Sequence, residues 1–548
     1  MKDIKILALE NAVKHKGKAD HGTVVGHLLA KNPELRKKSK EIVDEVMKMV
    51  EEINSLSLEE QTKALKKLDA TRLEKKEIIE DHSLPNLETR GKVVMRIAPY
   101  PSGPLHIGNA RPSILNDEYV KKYGGKLILF MDDTIGSEAK NISKDSYKLI
   151  RTGLDWLKVK YDKEVYYKSD RLEIYYKYAK KLIKRGRTYV CTCNSTTLRS
   201  NREKGIPCKC RRSTIQHTLK AWEEMFTAKE GSMALRLKTN IEHPNPAFRD
   251  RVVFRISDRE HPRVKKKYRV WPLLDFSWAI DDHLLKMTHI LRGKDLMIET
   301  DMEKYIWKVF GWKEPKVIHH GLLQLEGVKL SKSKFKKEVE SGEYTGWDDP
   351  RTWSLQSLKK RGILPEAIRN FILEFGLNQN EITAPVERLY SENKKLIDKK
   401  VNRYFFIEDP KKIKIKKSPL VVAKCPLHPD DEKRGYRVIK TAGEFYVQEK
   451  PKDDTVYRFM HLFNFKNNQF ISLKYDKDLG AKMIHWLPVS DKLVETGIVM
   501  PDGSVKKGLS EEGVRKLKVG ETIQFERNFF ACLYKKSEGI YTFYFTHR

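Results

Sequence analysis

The stretch KVVMRIAPYPSGPLHIGNARPSILNDEYVKKYGGKLILFM, residues 92–131, reads as strand, turn, helix and strand. KVVMRIA is a short apolar run with β-branched residues, and PYPSGP is too dense in Pro and Gly to continue it. HIGNARPSILNDEYVKKY has helical spacing, Gly124 and Gly125 stop it, and KLILFM is a second run apolar enough to be buried on both faces. Two buried strands joined by a helix form a βαβ unit, the building block of a doubly wound parallel sheet.

Working outward, the same alphabet returns downstream. THILRG reads as a strand, DLMIETDMEKYIWKVFGW as an amphipathic helix and PKVIHHGLLQL as a further extended stretch. The long interval between the two sets predicts an insertion into the sheet. Before them, NPELRKKSKEIVDEVMKMVEEINSL puts Leu35, Ile42, Val43, Val46 and Val50 on one helical stripe, and Ser57 with Glu60 forms a capping box. DHSLPNLETRGK reads as a linker. After them, PEAIRNFILEFGL is helical, and VYRFMHLFNF, FISLKY, TIQFERNFFACLYK and GIYTFYFTHR are aromatic-rich runs between turn signals, suited to β-barrel strands.

The expected fold class is therefore multidomain α/β plus all-β. The predicted layout is a helical appended domain at 1–88, a first Rossmann half at 89–189 and an inserted domain at 190–287. A second half follows at 288–340, a helical connection at 341–403 and a β-barrel region at 404–548.

At about 150 residues per domain, 548 residues suggest three or four domains, enough to bury large cores unaided. With 39% hydrophobic and 33% charged residues and a mean hydropathy of -0.61, the chain offers no apolar run near the roughly 20 residues of a spanning helix. The opening MKDIKILALENAVKHKGKAD has no secretory pattern, so no membrane and a cytoplasmic location are expected. The net charge of +33, spread along the whole chain, points to a polyanionic partner such as nucleic acid; the alternative is solubility in a hot or salty cytosol. Cys191, Cys193, Cys208 and Cys210 form two C-x-C pairs, a pattern that suits a tetrahedral structural zinc ion better than chance burial. Cys425 and Cys532 stand alone and read as structural.

His106 opens the helix after the glycine and proline turn, where free backbone N–H groups and the helix dipole favour an anion. Asn109 shares its face, and Gly108 between them allows a ring to lie against the backbone. In VKLSKSKF, Lys329, Ser331, Lys332 and Ser333 sit on a loop whose ammonium groups suit the charge of a departing pyrophosphate, although such a run is commonly just a solvated loop.

In this order the two segments, HIGN and KLSKS, resemble the HIGH and KMSKS motifs of class I aminoacyl-tRNA synthetases. RIAPYPSGPLHIGNARPSILNDEY, YGGKLILFMDDT, YKSDRLEIYYKYAKKLI, YVCTC, HPNPAFRD, YRVWP, THILRGKD and SGEYTGWDDPR resemble stretches of the glutamyl and glutaminyl branch, in its archaeal glutamyl form. The resemblance is dense over roughly residues 90 to 400. It implies ATP-dependent ligation of glutamate to tRNA through an adenylate, with Mg2+ accompanying ATP. It also implies an inserted domain for the acceptor stem, β-barrels for the anticodon, and a monomer. By residue, it implies ATP binding by His106, Gly108, Asn109, Lys329, Ser331, Lys332 and Ser333, with His106 and Lys332 catalytic. It assigns the amino acid to Arg96 for the side-chain carboxylate, Asp132 for the α-amino group, and Arg292. The pairing of charges is chemically consistent.

The sequence also departs from the branch's pattern. Asn109 stands in place of the second histidine, Phe130 of an arginine before the acidic pair, Ile135 and Gly136 of Asp and Pro, and Leu274 of a tyrosine. Two alternatives therefore stand beside glutamate ligation: a glutaminyl enzyme, and a synthetase-like RNA-binding protein weakened in catalysis.

Overall fold

The structure, a computed structural model, describes all residues except 1, 16, 32–38, 70–83, 90, 138–140, 329, 331 and 442, and only the backbone of 2, 14, 27, 30, 31, 39, 40 and 332–334. Two compact units are present, Met1–Asp81 and His82–Arg548. The first is helical: α1 (Lys2–Lys14), α2 (His21–Lys31), α3 (Ser39–Asn54) and α4 (Leu58–Leu68). Ile42, Val46 and Val50 of the predicted stripe are buried in its core, joined by Met49, whereas Val43 is only half-buried and Leu35 lies outside the described residues. Ser57 and Glu60 make the expected capping box at α4. Buried Gln61 ties the helices by donating to the carbonyls of Gly17, Ile53 and Leu56.

The second unit opens with β1 (Val94–Ile97), α5 (Ile107–Tyr123), β2 (Lys126–Met131), α6 (Ser146–Trp156), β3 (Val165–Tyr167) and α7 (Leu172–Lys184). β4 (Thr188–Cys191), α8 (Ser195–Lys204), α9 (Ile215–Glu224), β5 (Ala234–Leu237), β6 (Val252–Ile256) and β7 (Val270–Pro272) follow. Next come α10 (Leu274–Leu284), β8 (His289–Gly293), α11 (Met297–Phe310), β9 (Lys316–His320), β10 (Leu323–Leu325) and α12 (Lys332–Glu340). α13 (Leu355–Lys360), α14 (Pro365–Glu374), β11 (Ile382–Ala384) and α15 (Val386–Ile397) complete this part.

β1 pairs in parallel with β2, β2 with β3, and β8 with β9. Thr288 joins the two sets, donating its N–H to the Val94 carbonyl at 3.0 Å and accepting the Val94 N–H on its hydroxyl at 2.9 Å. Alternation along the strands explains the double burial. Met95, Leu127, Leu129 and Met131 enter one core with α5 and α14, while Ile128 and Phe130 enter another with α10 and α11. α5 ends where expected, with Gly124 at φ 62 in the left-handed region. Between the parallel halves lies an antiparallel sheet, β4-β5-β6-β7, which ends at Pro272. The expected boundary at 287 falls one helix later, after α10.

The remaining strands are β12 (Arg403–Tyr404), β13 (Phe406–Glu408), β14 (Lys411–Lys414), β15 (Val422–Pro426), β16 (Tyr436–Lys440), β17 (Glu444–Val447), β18 (Val456–Phe459) and β19 (Asn464–Lys466). They continue with β20 (Gln469–Ser472), β21 (Lys482–Ile484), β22 (Leu487–Pro488), β23 (Val494–Val499), β24 (Val505–Ser510), β25 (Thr522–Phe525), β26 (Phe529–Lys536) and β27 (Ile540–His547). Seven of them form one sheet in the order β12-β25-β26-β27-β23-β24-β13. Its two edge strands are separated in the chain by Phe405 alone, so the sheet must curl until its edges meet, as a barrel does. Phe445, Phe459, Phe463 and Trp486 anchor a second, separate core. The Arg437 guanidinium bridges from β16 to Glu511, at 2.5 Å, and to Glu526.

Candidate active site and metal centre

The C-terminal ends of the parallel strands carry an unusual concentration of buried charge. Arg96 lies on β1, Asp132 follows β2, Lys168 follows β3 and Arg292 lies on β8; all are at most 5% exposed. Crevices at this end of an open parallel sheet are where ligands bind. Trp278, on α10, is the common platform: the Arg96 and Arg292 guanidinium carbons lie 4.2 and 5.2 Å from its ring centre and Lys168 Nζ 4.9 Å.

Each arginine already has a carboxylate. Arg96 donates through Nε and Nη2 to the two oxygens of Asp282, the latter at 2.8 Å, and Arg292 through Nη1 and Nη2 to those of Glu303 at 2.8 and 2.7 Å. Burial raises the Glu303 pKa, and the Arg292 charge opposes that rise. Asp133, next to Asp132, is saturated: its carboxylate accepts from the Ser169 N–H and hydroxyl at 2.9 and 2.8 Å and from Tyr147 at 3.0 Å. Asp132 differs, because its Oδ1 accepts no hydrogen bond. The Nε atoms of Arg292 and the Trp278 indole N–H are likewise buried and unpartnered. An acceptor beside two donors matches an amino acid, whose ammonium donates and whose carboxylate accepts.

At the same edge, His106 caps α5 in an extended conformation, φ -108 and ψ 173, and its backbone N–H donates to Asn109 Oδ1 at 3.4 Å. The asparagine thus takes a helix-capping role from its place in the motif. A Cβ on Gly108 would lie 3.1 Å from the His106 ring and 3.2 Å from the Leu323 carbonyl, so a side chain there would crowd both. The segment SGEYTGWDDPR and the start of α13 close over this turn: Trp347 stacks where a Cβ on Gly103 would come within 2.9 Å, and Leu355 N–H donates to the Leu105 carbonyl at 2.8 Å. Lys329 and Ser331 lie outside the described residues, as do the side chains of Lys332 and Ser333, whose backbones open α12.

Two of the departures from the branch pattern, Phe130 and Ile135, are packed into the second core, Phe130 with its ring 5.3 Å from Tyr166. A Cβ on Gly136 would come 3.1 Å from the Trp271 and Pro272 carbonyls, so that loop hugs β7. Leu274 begins α10, where its carbonyl accepts the Ser277 hydroxyl at 3.1 Å. Sequence reasoning did not single out Lys168, Trp278, Asp282 or Glu303. The signal available was the four-residue spacing of Trp278 and Asp282, which places both on one face of a helix.

The four cysteines of the inserted sheet gather as their spacing predicts. Their sulfurs all lie within 4.8 Å of one another, with Cys191 to Cys208 at 3.8 Å and Cys193 to Cys210 at 3.7 Å. Sulfurs bound tetrahedrally at the usual Zn–S length stand about 3.8 Å apart, so the donor set and its spacing fit zinc. Hydrogen bonding with Cys191, ahead of the backbone N–H groups of Arg211 and Cys210, brings the Cys208 thiol down to about 5 against the opposing effect of burial.

Comparison with known proteins places these features in a family. The sequence model described as tRNA synthetases class I (E and Q), catalytic domain, matches residues 92–402, and the corresponding anti-codon binding domain matches residues 401–479. A glutamate--tRNA ligase of Methanocaldococcus jannaschii is 45% identical over 99% of each chain. One from Pyrococcus abyssi is 44% identical over 97% of this chain and 96% of its own. A solved glutamate tRNA ligase structure from Elizabethkingia meningosepticum, in complex with its amino acid, aligns over 56% of this chain and 69% of its own at 19% identity and a TM-score of 0.40. Among the described residues no helix is long and apolar enough to cross a membrane.

Proposed function

Because this chain belongs to the class I tRNA synthetases of the glutamyl and glutaminyl (E and Q) type, we propose that it ligates glutamate to tRNA at the expense of ATP, through a glutamyl-adenylate. The observation that carries this is the cluster at the strand ends. Asp132 Oδ1, which accepts no hydrogen bond and has only the Lys168 ammonium 3.4 Å away, is an acceptor for an α-ammonium, and Arg292 Nε and Trp278 Nε1 are open donors for carboxylate oxygens. The choice of glutamate over other amino acids rests on the relatives named above.

ATP takes the neighbouring position, with its phosphates at the N-terminus of α5 beside His106 and its ring against Gly108. Asn109 braces that helix end. Lys329, Ser331, Lys332 and Ser333 close on the phosphates with Mg2+, and the Lys332 ammonium neutralises charge as pyrophosphate leaves. The attacking group is the glutamate α-carboxylate, so it must face the phosphates. Arg96 meets the side-chain carboxylate through the part of its guanidinium that Asp282 leaves over. The inserted sheet, braced by zinc on Cys191, Cys193, Cys208 and Cys210, receives the acceptor stem; residues 404–548 receive the anticodon. The +33 charge draws the polyanion to both. We take the enzyme to act as a cytoplasmic monomer.

A charging assay with glutamate and glutamine against the tRNAs for each tests the proposal. Glutamate on its own tRNA is the expected product. Preferred charging of glutamine, or no charging with intact tRNA binding, would replace this reading with one of the two alternatives.

A further inference from the structure

The buried ammonium of Lys168 has no role in the scheme so far. It has no exposed surface, and its hydrogen bonds are few for a charged group. Nζ donates to Ser277 Oγ at 2.7 Å, and the Ser277 hydroxyl in turn donates a hydrogen bond to the Leu274 carbonyl at 3.1 Å. Its nearest counter-charge, Asp132 Oδ1, stands 3.4 Å away, beyond a good charged hydrogen bond. Burial lowers its pKa, and Asp132 and Asp281 oppose that shift.

The other cations around Trp278 are committed. Arg96 is held by Asp282 and Arg292 by Glu303, each through two N–H groups, while Arg171 and Tyr175 hold Asp281. The C-terminal end of β2 brings no cation to this cluster, since Phe130 is 1% exposed and packed on Tyr166 and Lys126 lies at the strand's other end, paired with Asp162. Lys168 follows β3 at the level where Asp132 follows β2, as the pairing of Met131 with Tyr167 requires.

We propose that Lys168 is a further specificity-determining residue for the substrate side chain, beside the Arg96 to which the family resemblance gives the side-chain carboxylate: the α-ammonium takes Asp132, and the Lys168 ammonium so released meets the side-chain carboxylate of glutamate. This rests on the glutamate reading above. The logic is one of exchanged partners. Glutamate brings one positive and two negative charges. Its α-carboxylate must face ATP, so the side-chain carboxylate needs a buried cation, and the only one of the three whose counter-ion the substrate itself displaces is Lys168. Glutamine would displace the same counter-ion and return no charge, leaving a buried ammonium uncompensated. Lys168 is also the least exposed of the three cations, at 0% against 4% for Arg96 and 5% for Arg292, which suits the far end of the side chain.

Lys168→Gln keeps a hydrogen-bond donor and removes the charge. In charging assays it should raise the KM for glutamate by about 30-fold or more and lower the preference for glutamate over glutamine by a similar factor, with the KM for ATP within about twofold of wild type. Lys168→Arg, which keeps the charge, should hold most of that preference even if turnover falls. The proposal is overturned if Lys168→Gln keeps the preference within about threefold, or if Lys168→Gln and Lys168→Arg lose it equally, since the charge would then not matter. If Lys168→Gln does not fold, Lys168→Arg decides alone: retained preference supports the proposal and lost preference overturns it. Wild-type protein that fails to charge glutamate would instead refute the reading on which this one rests.

Discussion

The two oxygens of Glu303 grip both Nη atoms of Arg292, at 2.8 and 2.7 Å, with the acid fully buried and the arginine 5% exposed. Such a pair is costly to break from one side, because the survivor keeps its charge without its partner. Glu303→Gln, which retains one acceptor, is expected to lower stability by about 3 kcal/mol. Urea denaturation would show it as a lower midpoint at unchanged slope. An unaltered midpoint would mean that water reaches the pair.

The cysteine cluster makes a compositional prediction. The protein as purified should carry about one zinc per chain, and Cys208→Ser should lose it. Because Cys191 ends β4, metal loss should expose the inserted sheet to protease while leaving the parallel sheet protected. Full metal content in the variant would exclude Cys208 as a ligand.

His547 couples stability to pH. It is fully buried, and its ring nitrogens are both engaged: Nε2 accepts from Asn393 Nδ2 at 3.1 Å, and Nδ1 donates to the Arg548 carbonyl at 3.1 Å. Asn393 is itself fixed, its Oδ1 accepting the Leu364 N–H, so the ring must stay neutral. Burial accordingly pushes its pKa down to about 4. The unfolded chain takes up this proton near pH 6.5 and the native chain only near 4, so stability is full above 6.5 and falls as pH drops towards 4, by about 3 kcal/mol. Denaturation curves at pH 7, 5.5 and 4 should show this loss, and His547→Gln should remove that part of it.

Gly125 stands where β2 leaves α5. An added Cβ would lie 2.1 Å from the Val93 carbonyl oxygen, the atom that accepts the Lys126 N–H and starts the β1–β2 register. Backbone cannot yield there without shifting the sheet, so Gly125→Ala should cost about 3 kcal/mol, measurable as a drop in Tm.

Lys332→Ala should slow adenylate formation by the equivalent of about 2 to 4 kcal/mol while ATP binding weakens far less, as expected of a charge used only in the transition state. Single-turnover kinetics at saturating ATP separate the two effects. An unchanged rate would remove Lys332 from the chemistry.

The parallel sheet was legible in residues 92–131 because local signals agree there: apolar runs, a turn built of Pro and Gly, helical spacing and a glycine stop. The cysteine pairs were legible for a similar reason, since short chelating turns fix their own geometry. The charge network was not. Asp282 lies 186 residues from Arg96, and only the packing of α10 against the sheet brings them together. Glu303 reads as one more polar position on the amphipathic α11. Lys168 hid in a lysine-rich sequence, where an ammonium defaults to the surface; its complete burial follows from a packed α10 behind it, which no local pattern announces.

The curled seven-stranded sheet imposes an order on synthesis. Its edges, β12 and β13, leave the ribosome first, yet the strands that join them are β23 to β27, and the last of these lies at the centre. Residues 411–488 emerge in between and supply most of their own core, although buried Arg437 still waits for Glu511 and Glu526. At the usual pace of about 5 to 20 residues per second, the two edges wait several seconds unpaired. The outer barrel therefore closes last, when β27 slides between β26 and β23, and a nascent chain stalled before Ile540 would carry its inner core on an open, association-prone outer sheet.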